Sequence, residues 1–302
     1  MNILITGALK NENALFTEIE NLGYVIFFQQ QETDELIVDS KLIDVVICNS
    51  FFLYHNIEKF INLKVIQLTS AGLDRVPINY IKEKKIKLFN AKGVYSIPMA
   101  EFTIMGILQL YKGAYNFFEN QKFHKWKKNR NIFELSNKHV AILGVGSVGK
   151  EIAKRLKGFN TINIGFDVKS FVCKYFDEVL NIIEFDKYIN QIDILICCLP
   201  LNDQTKFFIN KERICLLKKN AIVVNVSRGD IIDVNALYSA LHSDKLLGAV
   251  IDVFEKEPLD ENNKLWDLKN IIITPHNSFV SNTNEERIKK IILNNLESVI
   301  KS

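Results

Sequence analysis

Short apolar runs recur along the chain, separated by polar turns and by stretches with helical spacing. In the first part, runs at 2–6, 24–28, 43–48, 64–68 and 87–89 predict strands, and the spacing over 14–21 and 78–83 predicts helices between them. That alternation predicts a small parallel α/β unit. Its first strand is followed by a lone Gly7 before Ala8, Leu9 and Lys10, so no phosphate-binding glycine turn is expected there.

A long helix is predicted from about 100 through 118, and a second series of apolar runs follows from near Leu135. Runs at 140–143, 162–167, 193–199, 221–226, 249–253 and 271–274 predict a doubly wound sheet. Over 284–300, Ile288, Ile291, Ile292, Leu296 and Ile300 recur at helical spacing after this sheet is complete. The final helix is therefore expected to cross back and pack on the first domain. The chain reads as residues 1–99 with 278–302 forming one domain, and 100–277, including the long helix, forming another.

The segment from His139 to Lys150 runs an apolar strand into Gly144, Gly146 and Gly149 and then into helix formers, with Asp167 closing the next strand. Gly144 permits the tight turn, Gly146 leaves room for a pyrophosphate, and Gly149 lets the helix approach its strand. The helix start at Ser147 and Val148 offers unpaired amides and a partial positive end to phosphates. An acid at Asp167 accepts both ribose hydroxyls of NAD and repels the extra phosphate of NADP, although Lys169 and Ser170 follow it. The expected fold class is α/β with two Rossmann-like or flavodoxin-like domains, of which 100–277 is the NAD-binding one.

Composition narrows the alternatives. With 302 residues, the chain is natural for two domains, and 48% apolar residues with five prolines exclude a disordered chain. Its 38 basic and 35 acidic residues give a net charge of +3 with no basic block, which argues against nucleic acid as a partner. Cys48, Cys173, Cys197, Cys198 and Cys215 are odd in number and lack metal-ligand spacing, so buried free thiols and no metal are expected. The opening residues read as a strand and not a signal peptide, and no run is long enough to span a bilayer, which predicts a cytoplasmic protein with no membrane partner.

Three polar residues lie at the carboxyl ends of late strands, where open α/β sheets place their sites: Arg228, Glu257 and His276. Delivering hydride to a carbonyl carbon requires a proton at the oxygen, and histidine is the natural donor near neutral pH. A neighbouring Glu257 favours the cationic imidazole, and the fork of Arg228 suits the planar carboxylate of a 2-oxo acid. Each residue alone also has an ordinary reading: a surface arginine beside the helix cap Asp233, one acid among several, and a histidine ending a strand. His55, His124, His139 and His242 read as solvated or structural positions.

At these residues the chain resembles the D-isomer-specific 2-hydroxyacid dehydrogenase family. The motifs are the glycine turn, Cys198-Leu199-Pro200-Leu201 with Thr205, Asn225-Val226-Ser227-Arg228-Gly229, Ile251-Asp252-Val253-Phe254 with Glu257-Pro258, and Thr274-Pro275-His276. The resemblance implies a coenzyme domain inserted into a substrate-binding domain, with Arg228, Glu257 and His276 catalytic. It implies coenzyme contacts at Leu199, Pro200, Thr205, Val226 and Ser227, and makes Asp252 a supporting acid near the nicotinamide and histidine. It further implies that Ser70, Ala71, Gly72 and Leu73 grip the substrate carboxylate through backbone amides, and that Tyr95 either aims its hydroxyl at substrate or packs as an aromatic.

Departures from the family pattern bear on substrate. Asn137 stands where the family usually has glycine, and Asn202 replaces a usual threonine. The loop from Asn49 to Leu53 carries Phe51 and Phe52 where phosphoglycerate enzymes have a basic residue, which implies an uncharged substrate side chain facing these two rings. No appended regulatory domain is expected after residue 302, which weighs against a phosphoglycerate enzyme. The expected activity is NAD-dependent, reversible reduction of a small 2-oxo acid to a D-2-hydroxy acid. The alternatives are D-3-phosphoglycerate dehydrogenase and a non-enzymatic NAD(H)-sensing interaction protein. By the same resemblance a homodimer is expected, with the stretch from Leu110 to Phe118 and Trp126 as its surface.

Overall fold

The computed structural model describes residues 1–7, 9 and 13–301. The stretch after Gly7 and the terminal Ser302 therefore lie partly or wholly outside the described residues. The chain divides into two compact units, Met1–Tyr95 with the C-terminal stretch from Ser281, and Ser96–Val280. The second is thus inserted into the first.

The first unit contains β1 (Asn2–Thr6), β2 (Val25–Gln29), β3 (Val45–Cys48), β4 (Val65–Leu68) and β5 (Lys87–Phe89). All pair in parallel, in the order β2-β1-β3-β4-β5, which is the flavodoxin-like arrangement with its reversal of direction between β1 and β3. Alternate side chains of β1 serve opposite cores. Ile3 and Ile5 pack with Leu15 and Ile19 of helix α1 (Asn13–Asn21), whereas Leu4 joins Val46, Phe51, Ile66 and Leu68, across the sheet from α1. Helix α2 (Ile78–Glu83) places Ile81 in this second cluster. The C-terminal helix (Asn284–Ile300) buries Ile288, Ile292 and Leu296 in the first cluster, while Ile300 is exposed. Tyr24 Oη donates to Leu296 O at 3.1 Å and Asn295 Nδ2 to Gln67 Oε1 at 2.7 Å, which fastens that helix to its unit.

The second unit opens on α3 (Ser96–Lys112) and α4 (Ala114–Lys122). The single long helix expected here is broken at Gly113, whose φ of +60° lies in the left-handed region. The strands are β6 (His139–Leu143), β7 (Ile162–Asp167), β8 (Glu178–Asn181), β9 (Ile194–Cys197), β10 (Ala221–Asn225), β11 (Leu246–Ile251) and β12 (Ile271–Ile273). They form a parallel sheet in the order β12-β11-β10-β9-β6-β7-β8, with its switch point between β6 and β9. Edge strand β8, only Glu-Val-Leu-Asn, carries too little apolar signal to be read from sequence.

Among the described residues no helix is long and apolar enough to cross a membrane, and no cluster of His, Cys, Asp or Glu could hold a metal ion. The five cysteines are free, but only Cys48 and Cys197 are buried; Cys215 is exposed, contrary to the expectation of uniformly buried thiols.

Candidate active site

The glycine turn joins β6 to helix α5 (Ser147–Leu156) at the switch point. Gly144 has φ of +92°, and a Cβ there would stand 2.7 Å from Cys198 O. At Gly149 a Cβ would meet Gly144 O at 2.2 Å, so the helix start and the turn touch through backbone alone. A Cβ at Gly146 meets nothing within 4 Å, leaving open space beside the first turn of α5, where Ser147 and Val148 lie. These features fit a dinucleotide pyrophosphate. Asp167, at the end of β7, accepts from Val145 N at 2.7 Å and from Val168 N at 2.8 Å, which orients the carboxylate toward the glycine turn.

Beyond β9, Leu199 is buried, Pro200 is exposed, and Thr205 Oγ1 donates to Pro200 O at 2.6 Å while accepting from Asn202 N at 2.9 Å. Asn202 Oδ1 in turn accepts from Gln204 N and Thr205 N, so the asparagine keeps this loop in a tight turn.

Beyond β10, Val226 and Ser227 are buried and Arg228 is half-buried. Asn225 braces the turn: its Oδ1 accepts from Ser227 N and Oγ at 3.1 and 2.7 Å, and its Nδ2 donates to Arg228 O at 2.9 Å. Arg228 Nη1 donates to Ser227 O at 2.8 Å. Gly229 lies against the loop after β11, where a Cβ would come within 2.0 Å of Phe254 C and 2.2 Å of Glu255 N. Asp233 caps the following helix by accepting from Asn235 N and Ala236 N, so it is the capping residue the sequence indicated.

The loops after β11 and β12 bring the side chains of Glu257 and His276 together. Glu257 Oε1 accepts from Phe254 N at 3.0 Å, and its Oε2 lies 2.9 Å from His276 Nδ1. Because a carboxylate only accepts, Nδ1 carries the hydrogen, and Nε2 has no protein partner among the described residues. Both side chains are partly exposed, His276 at 30% and Glu257 at 39%, so the pair stands open to a ligand. His276 itself adopts φ of +50° and donates its N–H to Asp252 O at 2.8 Å.

Asp252 is fully buried, and its carboxylate accepts from Thr274 Oγ1 at 2.7 Å, Asn277 N at 2.7 Å and Ser278 N at 3.0 Å. The resemblance makes it a supporting acid near the coenzyme and histidine; being buried, it presents no surface to a ligand, and it ties the end of β11 to the segment carrying His276. Asn225, Thr274 and Ser278 escaped the sequence reading as site residues. Their only sequence signal is a polar residue at or just past the end of an apolar strand.

In the first unit, the loop after β4 places Ser70 O to accept from Ala91 N at 2.9 Å and Ala71 O to accept from Asn90 Nδ2 at 2.7 Å. The amides of Ser70, Ala71, Gly72 and Leu73 donate to no described residue, which leaves a run of N–H groups for an anion. Tyr95 Oη donates to Thr69 O at 2.5 Å, and burial pushes its phenol above the ordinary range. Its proton is thus committed to the root of this loop and not free for substrate.

Phe51 and Phe52 depart from expectation. Phe51 is fully buried and Phe52 nearly so, packed edge-on against each other and against Phe60, with His55 stacked on Phe51 at 4.2 Å. Their rings belong to the core under the loop and face no substrate. Nor does the loop lack a basic neighbour: Arg75 Nη1 donates to Asn49 Oδ1 at 2.9 Å and to Ser50 Oγ at 3.1 Å.

Residues 104–278 match the family described as D-isomer specific 2-hydroxyacid dehydrogenase, NAD binding domain. The chain belongs to the D-isomer-specific 2-hydroxyacid dehydrogenase family. It is 32% identical over its full length to D-3-phosphoglycerate dehydrogenase of Methanocaldococcus jannaschii, of which it spans 58%. It is 33% identical to hydroxypyruvate reductase of Thermotoga maritima over 81% of each chain. A solved family member from Aeromonas salmonicida superposes with a TM-score of 0.85 at 26% identity, covering 99% of this chain and 95% of that one. Members of this 2-hydroxyacid dehydrogenase family are nicotinamide-dependent oxidoreductases acting on CH–OH groups, and the coenzyme of this chain is accordingly NAD(H). The family's usual glycine before β6 is replaced at little cost, since Asn137 holds φ of +60°, a region asparagine tolerates, and donates its N–H to Asn160 O at 3.0 Å.

Proposed function

We propose that this chain catalyses reversible, NAD-dependent reduction of a small 2-oxo acid to a D-2-hydroxy acid, with Arg228, Glu257 and His276 as its catalytic residues. The observation that carries this reading is the 2.9 Å contact from Glu257 to His276 Nδ1, which leaves Nε2 to exchange a proton. The bound coenzyme supplies or receives the hydride. His276 Nε2 delivers the proton to the carbonyl oxygen in reduction and removes it in oxidation, while Glu257 holds the ring and stabilises the imidazolium. The Arg228 guanidinium binds the substrate carboxylate and polarises the carbonyl. In the first unit, the unpartnered amides of Ser70, Ala71, Gly72 and Leu73 offer donors to an anion.

Coenzyme binding in this reading falls to Gly144, Gly146, Ser147, Val148 and Gly149, to Asp167 at the ribose, and to Leu199, Pro200, Thr205, Val226 and Ser227 along the strand ends. Asp167 favours NAD over NADP by charge. The unit from Ser96 to Val280 serves as the coenzyme domain and the remainder as the substrate domain. The exposed Tyr115, Phe117, Phe118 and Trp126 on and after α4 support a homodimer, which light scattering tests by reporting twice the monomer mass. Five free thiols support a cytoplasmic setting.

The test is NADH oxidation across a panel of 2-oxo acids with the His276→Ala protein as control. Turnover that vanishes in the control supports the proposal, and coenzyme binding with no turnover of any acid replaces it with a sensor. The uncharged substrate side chain expected from Phe51 and Phe52 loses its basis with their burial. Arg75 beside Asn49 and Ser50 favours a second reading, in which the acid carries another negative group, as in phosphoglycerate oxidation.

A further inference from the structure

The carboxyl ends of β1, β3 and β4 hold a polar network that the proposed reaction does not use. Glu32 accepts from Thr6 Oγ1 at 2.6 Å, from Asn49 N at 2.7 Å and from Ser50 N at 2.6 Å, so its carboxylate is consumed in fixing the loop after β3. His55 Nε2 lies 2.8 Å from Glu32 O, and the ring rests on the buried Phe51, which anchors the same loop from below. The side chains of Asn49 and Ser50 are thereby aligned to accept two hydrogen bonds from one nitrogen of Arg75.

Arg75 follows the Ser70 to Leu73 loop in sequence and is half-buried. Among the described residues no carboxylate pairs with it, and its Nε and Nη2 donors have no protein partner. A guanidinium held at one nitrogen by two neutral oxygens keeps its charge and its remaining fork for a ligand. The holding cost is met in advance, because Glu32 and Phe51 set the loop before any ligand arrives. The site lies at the carboxyl edge of the sheet, at the β1–β3 switch point and on its β4 side, where open α/β sheets take ligands.

We infer that Arg75 is a specificity-determining residue that binds a second anionic group, a carboxylate or a phosphoryl, on the 2-oxo acid whose first carboxylate meets the Ser70 to Leu73 amides. This rests on the reaction proposed above. Asn49 and Ser50 position the guanidinium, and Glu32 acts through them.

The experiment compares wild type, Arg75→Gln and Arg75→Lys on pyruvate and glyoxylate, which lack a second charge, and on oxaloacetate and phosphohydroxypyruvate, which carry one. Thermal unfolding midpoints check that each variant is folded. Arg75→Gln is expected to lose roughly tenfold to hundredfold in kcat/KM on a charged acid, mainly through KM, the range of one charge-assisted hydrogen bond. Its change on pyruvate is expected to stay within about threefold, and Arg75→Lys to recover part of the loss by restoring charge without the fork. The acid that suffers identifies the second group as carboxylate or phosphoryl. Equal losses on all four acids, no loss on the charged pair, or a wild type that turns over only the uncharged pair overturns the inference. If wild type turns over none, the proposed reaction fails, and calorimetric binding of 3-phosphoglycerate and D-malate decides Arg75 independently. Weaker binding to Arg75→Gln supports its role; unchanged or undetectable binding overturns it.

Discussion

Glu257 Oε2 is the only protein partner of His276 Nδ1 among the described residues, at 2.9 Å. This is the ring's one hydrogen bond among the described residues, beside an edge-on contact with Phe279 at 5.9 Å, so Glu257 sets which nitrogen faces outward. Glu257→Gln is expected to lower kcat on the order of 10²-fold, because an amide orients the ring but no longer stabilises the imidazolium. His276→Ala is expected to lose more. Oxidation by wild type is expected to improve as pH rises, since oxidation of a hydroxy acid by NAD releases a proton, and a pH–rate profile in each direction checks this.

Gly229 and Phe254 make a second constraint. A Cβ at Gly229 would lie 2.0 Å from Phe254 C, against backbone that has no rotamer with which to move aside. Gly229→Ala is expected to destabilise the fold by about 1–3 kcal/mol and to depress activity by separating the Arg228 and Glu257 loops. Urea unfolding and kinetics on the same sample read both effects.

Asp167→Ser tests coenzyme choice. Removing the carboxylate is expected to lower kcat/KM for NADH by about tenfold and raise it for NADPH, as one unfavourable charge is exchanged for a neutral hydroxyl. An unchanged NADH to NADPH ratio would show that the ribose is selected elsewhere.

Acid stability has a local source in Asp193. Burial alone would raise its carboxyl, but Lys218 Nζ at 2.8 Å and His139 N at 3.0 Å hold it below the ordinary carboxylate range. A depressed folded value means that its stabilisation is present above the unfolded value of about 3.9 and is lost as pH falls through the lower folded value. Asp193→Asn is expected to be less stable than wild type at neutral pH, with the gap narrowing as pH falls below 4. Urea midpoints between pH 7 and 3 measure it.

The legibility of these features in the sequence follows their physics. The glycine turn was readable because Gly144 and Gly149 answer to backbone constraints that few other residues meet, and Arg228, Glu257 and His276 because strand ends place them. Loop side chains were not readable. The inward turn of Phe51 and Phe52 depends on Phe60, and the hydrogen bond from Arg75 to Asn49 spans 26 positions with no periodicity to announce it. The partners through which Asp252 acts were not readable either, because its polarity at a strand end is the same whether it turns outward or, as here, into a buried network. The break at Gly113 was hidden by helix formers on both sides.

The buried carboxylate of Asp252 joins the end of β11 to the backbone on the far side of His276. The proposed proton donor is therefore mounted on the sheet and not on a free loop, so its placement has no melting transition of its own. Heating should extinguish turnover and tertiary structure along one curve, and in Asp252→Asn, where an amide meets N–H groups that need an acceptor, the two curves should part, with catalysis failing at the lower temperature.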